Sequence, residues 1–291
     1  MEAWVDRGKI FDAYRYQIVP KAGEIQLSLF AKSSLAEVIA NKNKYFNESL
    51  MRVSDYTFPF DSVVDAKVNL GTGVILFRLG KKKNVKRFKK EKFVREELDS
   101  WPPTHVIFDV KPERQLLFVE RNALAFRETR TVVKYIMRNV NKELGKNDLL
   151  AQALPMFKKD DFWESVEEYS GRVRYVEFSL VTPNMSSITK TLSGQLKALA
   201  KDTLSAKTGL KIEAPQSGYL NLSPENEELG GLVDYSAEGG GEIAMKINGM
   251  RVPIRTSNYP ITLAVDDVVL SANDVDELVK ILDYFYGRSD R

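Results

Sequence analysis

Residues 106–145, VIFDVKPERQLLFVERNALAFRETRTVVKYIMRNVNKELG, decide the fold class. Val106–Val110 and Gln115–Glu120 are short apolar runs separated by the turn residues Lys111-Pro112-Glu113-Arg114, a pattern that predicts an antiparallel hairpin. Asn122 to Phe126 extends the piece after a bend. A helix is predicted from about Glu128 to Leu144, with Val132, Val133, Ile136, Val140 and Leu144 on one face and Gly145 as its stop. At 100° per residue, Arg127, Arg130, Lys134, Arg138 and Lys142 fall on the opposite side, a basic stripe about 16 Å long.

Working outward, the same kind of hairpin recurs. AYRYQIVP and EIQLSLFA flank Lys21-Ala22-Gly23, and Ser62–Leu70 and Val74–Leu79 flank Gly71-Thr72-Gly73. Ser33-Ser34 caps a helix through Leu35, Val38, Ile39 and Lys42 that ends near Tyr45. Downstream, residues 146–170 read as two short helices split by Pro155, the second capped at Asp160. A strand over Arg172–Thr182 leads to a helix from Ser187 to Lys207. Ile188, Leu192, Leu196 and Leu199 form its apolar face, with Lys190, Lys197 and Lys201 opposite. Short extended pieces follow at Tyr219–Leu222, Gly231–Tyr235, Glu242–Ile247 and Arg251–Thr256. Gly239-Gly240-Gly241 reads as a flexible hairpin tip and Asn248-Gly249 as a two-residue hairpin turn. The last helix runs from about Asn273 to Tyr286. Irregular alternation of hairpins and helices without an internal repeat predicts an α+β fold, with mixed or antiparallel sheets and packed helices in two lobes. The lobes are residues 1–170, which are basic, and 171–291, which contain an acidic tail portion.

Composition narrows the chemistry. The 291 residues are 43% hydrophobic, contain no cysteine and contain one histidine, His105. Disulfides, thiol catalysis, cysteine-based metal sites and any multi-histidine centre are therefore excluded. No apolar run reaches the roughly 18 residues that span a bilayer, so a cytoplasmic protein is expected. Net charge is +3, but residues 213–291 hold 6 basic and 14 acidic residues against 37 and 26 before them. A basic body thus carries an acidic tail.

Most of the concentrated positive charge lies in Gly80–Arg95, GKKKNVKRFKKEKFVR, where nine Lys or Arg residues face one acid, Glu91. This run is expected at and just after a strand end, partly as a loop. Such a run is either a solvated surface or a seat for a polyanion. Together with the two helix stripes it predicts phosphate contacts from Lys81, Lys82, Lys83, Lys86, Arg87, Lys89 and Lys90, and from Arg130, Lys134, Arg138, Lys190, Lys197 and Lys201. Phe88 and Phe93 interleave with these charges and either wedge into a groove or anchor the loop. No nucleotide-binding glycine loop is present, and no catalytic residue, metal site or cofactor is expected. Two alternatives stay open. Asp109-Val110-Lys111 and Asp65-Ala66-Lys67 match the acid-x-Lys element of Mg²⁺-dependent nucleases, and the basic run also suits an acidic partner or an anionic membrane.

The QLSLF strand at 26–30, LLFVERNALAF at 116–126 before an amphipathic helix, and NLSPENEEL at 221–229 resemble the RexA-like phage-exclusion family of lambdoid phages. The resemblance covers most of the chain as a pattern of strands and helices. It implies a non-enzymatic homodimer that binds double-stranded DNA with little sequence preference. It further implies a sensor in antiviral defence (abortive infection) that signals to a membrane-protein effector encoded nearby and meets the inner membrane through that partner. The family has no catalytic signature, so no residue role carries over.

Overall fold

A computed structural model of the chain describes residues 8–21, 35–59, 61–69, 73–90, 93, 95–181, 207–272 and 274–289. Among them it contains seven α-helices and thirteen strands, an α+β fold in which every strand pairing is antiparallel. The elements are β1 (Lys9–Pro20), α1 (Leu35–Ala40), α2 (Lys42–Met51), β2 (Val63–Asn69), β3 (Val74–Gly80), β4 (Lys83–Phe88), β5 (Arg95–Ser100), β6 (Pro103–Asp109), β7 (Leu116–Glu120), α3 (Thr129–Leu144) and β8 (Leu149–Pro155). They continue as α4 (Lys159–Glu168), β9 (Val173–Val181), β10 (Lys207–Glu213), α5 (Glu227–Tyr235), β11 (Gly241–Ile247), β12 (Ile254–Arg255), β13 (Thr262–Val265), α6 (Asp267–Ala272) and α7 (Val275–Ser289).

The first sheet has the order β13-β1-β7-β6-β3-β2, with β8 also pairing β1. Strand alternation sends successive side chains to opposite faces, and both faces of this sheet are covered. On one side Tyr14, Tyr16, Phe77, Phe108, Leu117 and Val119 pack with Phe46 and Leu50 of α2 and with Val132, Ile136 and Val140 of α3. Tyr16 stacks on Phe46 at 4.2 Å between ring centroids. On the other side Phe11, Ala13, Leu76, Ile107, Leu116 and Phe118 pack with Leu270 of α6 and with Leu278, Leu282 and Phe285 of α7. The acidic C-terminal stretch therefore returns to the first sheet, which draws on both sides of residue 170. Asp283 of α7 also pairs with Arg114 in the β6–β7 turn, at 2.5 Å.

The second sheet, β10-β9-β11-β12, buries one face against α4 and α5, through Phe162, Val166, Leu229, Leu232 and Tyr235. Its junction with the first sheet lies at Ser236–Gly240, a wide turn after α5. Gly239 and Gly240 of this turn and Gly241 of β11 are buried, which corrects their reading as a flexible hairpin tip. Gly239 has φ +84°, and a Cβ added to it would lie 2.5 Å from Arg15 Cβ of β1. Gln17 of β1 donates to the Gly239 carbonyl at 3.3 Å, and the Phe157 N–H donates to the Ala237 carbonyl. Backbone passes directly over Arg15 in the middle of β1 here, and only glycine accepts the left-handed turn without strain.

The two hairpins at 62–80 and 106–120, α3, the strand at 173–181 and the C-terminal helix form where the sequence places them. Four other segments differ. Residues 149–155 form a strand because β8 pairs with β1 over Tyr14–Pro20, and that pairing overrides the helical preference of Leu, Ala and Gln. Gly231–Tyr235 is the end of α5, whose start is capped by Asn226 Oδ1 accepting from the Leu229 N–H at 3.0 Å. The helix that opens at Leu35 continues beyond Tyr45 to Met51 after a break at Asn41. Asn248-Gly249 lies in a longer connection, since β12 begins only at Ile254. The strand expected at 24–31 and the helix expected from Ser187 lie outside the described residues. Among the described residues, no helix is long and apolar enough to cross a membrane.

Replacing Gly239 by alanine is expected to cost at least about 2 kcal/mol in denaturant unfolding, from the left-handed backbone and the overlap with Arg15. A variant that unfolds together with the wild type contradicts this account of the junction.

Candidate nucleic-acid interface

The basic run begins just after β3, as expected, and Lys83–Phe88 within it is a strand of its own. Residues 83–88 and 95–100 form a two-stranded ribbon, β4–β5, which pairs with neither larger sheet. Lys and Arg form a strand here because acids stand across from them: Lys86 faces Glu97, Arg87 faces Glu96 and Asn84 faces Asp99. The resulting ion pairs are Lys86–Glu97 at 3.3 Å, Arg87–Glu96 at 3.0 Å, Lys89–Glu96 at 3.0 Å and Lys82–Asp99 at 2.9 Å. Hydrogen bonds from Lys89, then Arg87, hold the Glu96 carboxyl below the usual carboxylate range. Exposed pairs of this kind are screened by solvent, contribute little to stability and exchange readily for a phosphate.

Several ribbon cations have no acidic partner among the described residues. Among the described residues the Lys83 side chain reaches the Ala123 carbonyl, at 3.5 Å, and the side chains of Lys90 and Arg95 are exposed without an ion pair. Near the tip the aromatic side chains point to solvent, Phe88 at 68% and Phe93 at 80% exposure, so neither anchors the ribbon to the core. Phe93 also has φ +50°, rare for a bulky residue.

The root of the ribbon adjoins α3. Lys83 meets Ala123, and Lys81 lies over the Phe126 ring at 5.9 Å, so the bend 121–128 connects the two basic elements. On α3, Arg130, Lys134, Arg138 and Lys142 are all exposed along one side, as the 3.6-residue period requires, whereas Arg127, expected on the same stripe, is exposed in the bend before the helix. Arg130 pairs with Glu128 at 3.1 Å and reaches Asn258, and Arg138 lies over the Tyr135 ring. The third predicted stripe, Lys190, Lys197 and Lys201, lies outside the described residues.

Between ribbon root and helix start a cleft of about 450 Å³ opens, lined among others by Asp12, Tyr14, Arg121, Phe126, Arg127 and Arg130. Its floor is a buried network. Arg121 Nε donates to Asp12 Oδ1 at 2.5 Å, Thr129 donates to Asp12 Oδ2 at 2.6 Å, and Tyr14 OH lies 2.7 Å from Thr129 Oγ1. Burial pushes the Tyr14 hydroxyl up to about 12, despite its hydrogen bond to Thr129. These partners stand 109 to 117 residues apart, so local sequence patterns gave no sign of the cleft.

The acid-x-Lys elements are occupied otherwise. Asp109 is fully buried, accepting from the Lys111 N–H at 3.2 Å and from Arg114 at 3.1 Å, while Lys111 itself reaches Asp283. Asp65 pairs with Arg78 on the surface. Among the described residues no group of three or more His, Asp or Glu is placed to hold a metal ion. His105 is buried beside Glu120. The 2.7 Å contact from Nδ1 to Glu120 Oε2 requires a proton on Nδ1, because an ionised carboxylate only accepts. Lys9 completes the cluster, 3.7 Å from Glu120 and 2.9 Å from Asp267 of α6.

No family model, no curated protein and no solved structure matches the chain.

Burial works to raise the Glu120 carboxyl, but the His105 hydrogen bonds and Lys9 bring it net below its ordinary value of 4.5. A carboxyl depressed in the folded state stabilises fully above its unfolded value, and that contribution is lost as pH falls through the folded value. Glu120→Gln should therefore destabilise most near neutral pH, with the difference from wild type shrinking below about pH 4.5. An equal difference from pH 7 to pH 3 in denaturant unfolding contradicts the pairing.

Proposed function

We propose that the protein binds double-stranded DNA without sequence preference, through a face made of the β4–β5 ribbon and the exposed side of α3. The observation that carries this is the contact of the ribbon root with Ala123 and Phe126 in the bend that leads into α3, which sets the two basic elements beside each other. A two-stranded ribbon has the width to enter a B-DNA groove, while an α-helix stripe can follow the flanking phosphates. Lys83, Lys90, Arg95, Arg127, Lys134 and Lys142 supply phosphate contacts at once. Lys82, Lys86, Arg87 and Lys89 supply them by exchanging a carboxylate for a phosphate. Exposed Phe88 and Phe93 stack on or wedge between bases. The role in phage exclusion, with a homodimer and a membrane effector, rests on the family resemblance alone. The same aromatic tip on a basic ribbon favours an anionic bilayer as the second reading.

Shift assays on random duplex across a salt series test the reading. If about six phosphates are neutralised, log K should fall with log salt at a slope of about −5. Combined Lys83→Glu, Lys90→Glu and Arg95→Glu should weaken binding at least about a hundredfold, since each reversal also repels. Glu96→Gln with Glu97→Gln frees Lys86, Arg87 and Lys89 and should tighten it. Reversals that leave DNA affinity intact, or sedimentation with anionic liposomes in place of DNA binding, sink the proposal.

A further inference from the structure

The cleft at the ribbon root has features that a duplex-binding face does not need. A duplex presents phosphates on a convex cylinder, which flat or grooved cationic surfaces satisfy. A recess of about 450 Å³ instead falls in the size range of pockets that enclose a small ligand. Its charge is one-sided. Arg121, Arg127 and Arg130 come from three different places along the bend into α3, and Lys81 and Lys83 border it through Phe126 and Ala123.

Two carboxylates oppose them, and both are already engaged. Asp12 is buried and takes Arg121 Nε and the Thr129 hydroxyl, while Glu128 takes Arg130. Asp12 holds Arg121 through Nε, so its two terminal amino groups remain available to an occupant. Arg127 has no partner among the described residues. Two guanidiniums together suit a phosphomonoester, with three free oxygens and up to two charges, better than a mid-chain diester with two oxygens and one charge. Phe126 and Pro260 add an apolar wall beside these donors. Phosphate donors beside an apolar wall match a nucleotide, which joins a phosphate to a flat, largely apolar base.

We propose that this cleft binds a single nucleotide through its terminal phosphomonoester, with Arg121 and Arg127 as the phosphate donors. Two sources carry that chemistry: a free nucleoside monophosphate, or the phosphorylated end of a DNA strand lying on the basic face. The first is independent of duplex binding and the second deepens it.

Thermal-shift and calorimetric titrations of the full chain with inorganic phosphate, a deoxynucleoside monophosphate and the matching nucleoside test the site. A second arm compares affinity for blunt duplexes with 5′-phosphate and 5′-hydroxyl ends. The monophosphate should bind and the nucleoside should not. Arg127→Gln should weaken monophosphate binding about tenfold, as loss of one charge-assisted contact. Ala123→Trp, which fills the recess without altering charge, should abolish it while melting unchanged. If the phosphorylated duplex end is preferred and Ala123→Trp erases the preference, the strand end is the source. If only the free nucleotide responds, the source is a mononucleotide. Absence of both responses, with random-duplex binding retained, overturns the cleft assignment and leaves the duplex reading standing. Inorganic phosphate binding as tightly as the monophosphate overturns the nucleotide part.

Discussion

The structure depends on one strand. β1 pairs with β7 along one edge and with β13 and then β8 along the other, so three segments distant in sequence meet on twelve residues. Its alternation distributes the remaining contacts. Asp12, Tyr14 and Tyr16 point toward α2 and α3, Phe11 and Ala13 toward the C-terminal helices, and Arg15 and Gln17 toward the glycine turn of the second sheet. A one-residue slip of β1 would exchange these sets and bring the buried acid and amide against the wrong partners. Core, junction and cleft floor are therefore set by the same register.

That register also explains where the charge goes. Asp12 holds both Arg121 and Thr129, which fixes the bend from β7 into α3 and with it the direction of the exposed basic stripe. The ribbon β4–β5 emerges between β3 and β6, neighbours in the first sheet, so its root must lie beside that bend. Having no sheet behind it, the ribbon gains little from burial, since Val85 and Leu98 remain partly exposed. Its cross-strand ion pairs thus have two roles: they align the strands and they moderate a charge density that would otherwise repel itself.

Local pattern made the architecture legible where one element carries its own periodicity. The 106–120 hairpin, α3 with its opposed apolar and basic sides, and Leu278, Leu282 and Phe285 on the last helix all follow from spacing. What escaped was set at a distance. Leu149–Pro155 carries helix-forming residues and becomes a strand only because β1 has an open edge beside it. Gly239–Gly241 reads as flexible until Arg15 is seen against it. The ribbon had a local signal, since the acids Glu96, Glu97 and Asp99 follow the cations Lys82, Lys86 and Arg87 at mirrored positions. The cleft had none, because Asp12 and Thr129 stand 117 residues apart in the chain.

The central claim is that ribbon and α3 act as one surface, and lysine acetylation footprinting by mass spectrometry addresses it side chain by side chain. With excess random duplex, Lys83, Lys90, Lys134 and Lys142 should lose reactivity together, while Lys159, paired with Asp234 of α5, and Lys280 on the C-terminal helix keep theirs. Protection of Lys159 and Lys280 with an unprotected ribbon would contradict the account.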